Sequence, residues 1–117
     1  MKYLTIEHMK KLDALKLERY MRECVEKLEG IAYQYAFEEN IENYHKFVEH
    51  VYNVAKQNGI TNKKHIFSLM LLWHVEGDSI NEDKKFLEVL DSKTIHNHEK
   101  AEYFKHRAIR SMKGKEA

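Results

Sequence analysis

The chain has 117 residues, with no proline, four glycines and one cysteine, enough for a single core and too few for two. Its 20 lysines and arginines almost cancel its 19 aspartates and glutamates, which leaves no overall field to draw it to nucleic acid or an anionic membrane. Abundant helix formers and the lack of proline predict an all-α fold, in one domain over residues 1–117.

Cys24 has no partner for an internal disulfide and suits a reducing compartment, with packing as its expected role. Lys2, Glu7, Lys10 and Lys11 interrupt the region where a secretory signal needs a continuous apolar segment. The apolar run that ends at Trp73 falls well short of the roughly 20 residues that span a bilayer. The expected location is cytoplasmic, with no membrane partner.

Thr5 is placed to cap a first helix, with Glu7 in its positive first turn. Met9, Leu12, Leu17, Met21, Cys24, Val25 and Leu28 recur at helical spacing between charged residues, and Gly30 marks the expected end. Between Ile31 and Asn40, Tyr33, Tyr35 and Phe37 alternate in strand fashion within helix-forming flanks, which reads as a loop or short helix. Asn40 is the expected cap of a second helix, striped by Ile41, Tyr44, Phe47, Val48, Val51 and Ala55. Gly59 supplies its left-handed stop and Ile60 the hydrophobic contact that accompanies such a stop.

Thr61 is the expected cap of a third helix, over about 61–75. Ile66, Phe67, Leu69, Met70, Leu71, Leu72 and Trp73 cover nearly its whole circumference, so it must be central and contacted on several sides. After Gly77-Asp78, Ser79-Ile80-Asn81-Glu82 reads as a capping box for a short helix through Phe86, Leu87 and Leu90. Polar residues from Asp91 to Asn97 interrupt the pattern. Asn97 is the expected cap of a last helix bearing Ala101, Phe104, Ala108 and Met112, with fraying from Lys113. These elements sum to a compact bundle of four to five helices around a central apolar one.

His96, His98 and Glu99 are the candidate metal ligands, since two imidazoles and a carboxylate can supply part of a zinc or heavier transition-metal site. No complete spacing such as His-Glu-x-x-His accompanies them, so solvated capping residues are the simpler reading and no metal or cofactor is expected. His45 with Glu49, and Glu102 with His106, stand one turn apart as base and orienting groups do. With no placed nucleophile, phosphate loop or carboxylate pair, they predict no enzyme.

The turn from Ala55 to Gly59, followed by Lys63, Lys64 and His65, invites comparison with a DNA-reading helix-turn-helix. The apolar third helix leaves little face for base edges, so nucleic acid is not an expected partner. Basic residues near the C-terminus, among them Lys105, Arg107 and Arg110, suit the negative end of a helix. Tyr33, Tyr35, Phe37, Tyr44 and Tyr52 cluster in one region, and those outside the core are the candidate anchors for a protein partner.

Several stretches together resemble a family of small helical proteins encoded among bacterial type VI secretion and polymorphic-toxin genes. They are Leu4 to Met9 with Leu12, Phe47-Val48 through Ala55, Asn58-Gly59-Ile60-Thr61, Ile66 to Met70, Gly77-Asp78, Phe86 to Asp91, and Lys100 with Tyr103-Phe104. The resemblance covers most of the chain. It departs from the family at Gly30-Ile31, where members commonly carry a proline, and at Trp73-His74-Val75-Glu76. It implies a non-catalytic accessory that binds a secreted effector or toxin, as an adaptor or chaperone or as an immunity protein. It carries over no residue roles. A homodimer is also compatible with so small a bundle. The alternatives are a His-dependent metal-binding protein and a small helix-turn-helix DNA-binding regulator.

Overall fold

A computed structural model describes residues 6–35 and 43–115, with side chains over 9–32 and 43–113. Five α-helices and one 3₁₀ turn make up the described residues: α1 (Ile6–Tyr35), α2 (Tyr44–Gln57), α3 (Lys63–Glu76), the turn Asp78–Glu82, α4 (Lys84–Asp91) and α5 (Asn97–Lys115). The all-α bundle expected from the sequence is therefore the fold. The expected caps Thr5 and Asn40 and the apolar residue Ile41 lie outside the described residues.

The helix α1 does not stop at Gly30 but runs on to Tyr35, so Ile31 to Tyr35 are helical rather than a loop. Glycine costs a helix interior only about 1 kcal/mol against alanine. Packing on both sides offsets that cost: Leu28 is fully buried before Gly30, and Ile31 and Ala32 are half-buried after it.

Asn43 caps α2, its side-chain oxygen accepting from the Lys46 amide at 3.0 Å. Val48, Val51 and Ala55 give α2 a fully buried stripe. Its end is a Schellman motif. The Ile60 amide donates to the Ala55 carbonyl at 2.9 Å, the Gly59 amide donates to the Lys56 carbonyl at 3.1 Å, and Gly59 has φ 76°. Ile60 is fully buried, as the motif's hydrophobic contact requires.

Asn62, not Thr61, caps α3, accepting from the Lys64 amide at 2.9 Å and the His65 amide at 3.3 Å. Either side chain carries a suitable oxygen, and the helix starts one residue later than expected. Ile66, Leu69, Met70, Leu72, Trp73, His74 and Val75 are all buried, which makes α3 the central helix. It packs against α2 and α1, and most extensively along α5.

The expected capping box at Ser79 does not form. The Ser79 hydroxyl donates back to the Glu76 carbonyl at 3.1 Å, and Glu82 ends the 3₁₀ turn. Asp83 caps α4 instead, accepting from the Phe86 amide at 2.9 Å. The ring of Phe86 then bridges α3 and α5, with centroids 6.2 Å from Trp73 and 5.7 Å from Phe104. Asn97 is likewise not the cap of α5, because the Lys100 amide already donates to the His96 carbonyl. The Asn97 amide group donates to the Gly59 carbonyl at 2.8 Å and ties the start of α5 to the turn between α2 and α3. The last helix continues through the region expected to fray, as far as Lys115.

Candidate protein-docking surface

The sequence-predicted anchors divide into two groups. Tyr33, Tyr35 and Phe37 lie outside the described side chains. Tyr44 and Tyr52 are half-buried and turned onto the body: the Tyr44 hydroxyl is 3.1 Å from His74 Nε2, and the Tyr52 ring is 6.3 Å from Tyr20. Burial, and secondarily the charge of Glu29, pushes the Tyr44 hydroxyl pKa up.

Apolar side chains reach solvent elsewhere. Met9, Leu12 and Leu15 on the first half of α1 are 52%, 42% and 60% exposed. The same helix is anchored from Leu17 onward, with Leu17 packed on the core and Tyr20, Cys24, Val25 and Leu28 buried. Met9 and Leu12 were expected to be core positions because they keep helical spacing. The spacing is real, but no described element packs over that part of α1.

Where α1 meets the start of α3 there is a cleft of about 270 Å³. Its lining includes Tyr20, Glu23, Lys27, Lys63, Lys64 and Phe67. The ammonium of Lys63 lies 5.4 Å from the centroid of Tyr20, and that of Lys27 lies 5.5 Å from Phe67. Each cation rests on the negative face of a ring. The Tyr20 hydroxyl donates to the Lys63 carbonyl at 2.8 Å, which fixes α1 to the first residue of α3. Burial pushes the phenol of Tyr20 far above its ordinary range, and burial also raises the thiol of Cys24, which is therefore a packed and unreactive sulfur. Sequence reasoning overlooked Tyr20, although its spacing from Cys24 and Leu28 repeats one face of a helix.

The two other charged features are built into the scaffold. Arg107 reaches from α5 to Glu76 with Nε and Nη2 at 2.7 and 2.8 Å, to Asp83 at 2.8 Å and to the Tyr103 hydroxyl at 2.9 Å. These hydrogen bonds raise the guanidinium pKa further, and the bond from Arg107 pulls the Asp83 carboxyl down to about 2. Lys100 is 2% exposed and donates its ammonium to the Leu90 carbonyl at 2.9 Å, capping the end of α4. Burial lowers its pKa, opposed by the charge of Asp91.

The candidate metal ligands do not converge. His96, His98 and Glu99 are exposed, and the His98 ring faces His65 at 6.0 Å between centroids. Among the described residues no group of three or more His, Cys, Asp or Glu side chains is placed to hold a metal ion. Glu102 and His106 do meet, at 3.2 Å, but on open surface, with side chains 46% and 69% exposed. His45 and Glu49 form no ion pair among the described residues. Nor does any helix among them have the length and apolarity to cross a membrane.

Comparison with protein-family models, curated proteins and solved structures finds no match.

Proposed function

We propose that the protein acts by binding another protein, with no turnover of its own. The observation that carries this reading is the exposed apolar row Met9, Leu12 and Leu15 on a helix whose other half is fixed to the core. Apolar side chains held open along a helix are characteristic of a surface that is covered in a complex. The resemblance to proteins of type VI secretion and polymorphic-toxin genes makes the partner a secreted bacterial effector or toxin, with this chain as its adaptor, chaperone or immunity protein.

Co-expression with the product of the neighbouring gene tests the reading. The expected result is co-elution of the two proteins at low salt. Separate elution of every neighbour tried would overturn it.

A further inference from the structure

The cleft between α1 and α3 and the exposed start of α1 share one helical face. Met9, Asp13, Lys16, Tyr20, Glu23 and Lys27 recur at three- and four-residue intervals, which places them in a single row about 27 Å long. Leu12 borders the row one position from Asp13 and is exposed. The row thus begins apolar at Met9 and Leu12 and ends in the cleft against α3.

Charge is distributed unevenly along this face. Lys16 and Lys27 from α1 and Lys63 and Lys64 from α3 stand against Asp13 and Glu23 alone. None of the four lysines forms an ion pair among the described residues. Two of them rest on aromatic rings instead. Lys63 and Lys64 also open α3, where backbone N–H groups add partial positive charge. Four cations against two carboxylates, on a face that begins apolar at Met9 and Leu12, complement a ligand that carries both chemistries.

We propose that this face receives an acidic amphipathic helix of the protein partner, with its apolar stripe on Met9 and Leu12 and its carboxylates against Lys27, Lys63 and Lys64. The proposal rests on the protein-binding reading above and specifies the chemistry of its contact. A helix of about 18 residues matches the length of the row. Helix-in-groove recognition supplies the anchors, and exposed ion pairs supply orientation and an affinity that falls with salt.

The probe is a fluorescein-labelled helix of about 18 residues with leucines on one stripe and glutamates on the remainder, followed by anisotropy. Two competitors are the same helix with lysine in place of glutamate and an oligothymidine of similar length. Lys27→Gln/Lys63→Gln/Lys64→Gln is expected to weaken binding of the glutamate helix at least about tenfold, and the lysine helix is expected not to bind. Met9→Ser/Leu12→Ser is expected to weaken it several-fold. All five positions are exposed, and unchanged circular dichroism would show that the variants fold. Equal affinity in the triple lysine variant, equal binding of the lysine helix, or tighter binding of oligothymidine would overturn the proposal. In co-expression, a partner that stays bound to the triple variant would remove this surface and leave the protein-binding reading standing. Failure of any neighbour to bind the wild-type chain would remove both.

Discussion

The two long helices invert the usual rule of what is kept from water. On α5, Lys100 is buried and Arg107 is drawn inward, beside Ala101, Phe104 and Ala108. The first half of α1 leaves Met9, Leu12 and Leu15 in solvent. Partner availability decides the difference. Along its length α5 has the central helix α3 to pack on, while its polar side chains find the Leu90 carbonyl, Glu76 and Asp83. On the N-terminal side of Leu17, no described element covers α1. Helical spacing of apolar residues therefore states that a face exists, not that the fold itself covers it.

The contrast breaks most sharply at Phe104 of α5, which is fully buried against the Phe86 ring. Phe104→Ala should cost about 4 kcal/mol in chemical denaturation, a large fraction of the stability of a domain this size. Arg107 comes next. With side-chain exposures of 18%, 20% and 34% for Arg107, Glu76 and Asp83, the cluster is partly screened, so Arg107→Ala should cost about 2 kcal/mol. Arg107→Lys should recover less than half of that, because an ammonium cannot reproduce the fork on Glu76.

The same cluster predicts a response to acid. The folded Asp83 carboxyl, near 2, lies below its ordinary 3.8. Its contribution is complete above the ordinary value and is lost as the pH falls from about 4 to about 2. The thermal midpoint should drop across that window, and Asp83→Asn should flatten the drop. The smallest effect on stability belongs to α1: Met9→Ser/Leu12→Ser should change the free energy of unfolding by no more than about 0.5 kcal/mol while weakening partner binding. A larger loss would mean that the row is covered within the folded chain.

What the sequence discloses depends on how locally each feature is determined. The stop at Gly59-Ile60 was legible because backbone sterics and one buried side chain fix it within six residues. The centrality of α3 was legible because a helix apolar all round has no stable exposed orientation. Caps were misplaced by a residue or a few, since Asn, Thr, Ser and Asp all offer an oxygen and the tertiary path of the backbone selects among them. Gly30 misled because packing at Leu28 outweighs a weak local preference. Arg107 could not be read at all, as Glu76 and Asp83 lie 31 and 24 residues away. The cleft was hidden for the same reason: Tyr20 and Lys63 are 43 residues apart, and neither is unusual alone.

The closure of α5 over α3 has a consequence for synthesis. The most apolar of the described helices, α3, is made before α5, the helix that covers it. While the ribosome is still extending the chain beyond Asp91, α3 lacks its largest neighbour. Until α5 emerges, the growing chain holds an apolar surface of the kind that a ribosome-bound chaperone shields.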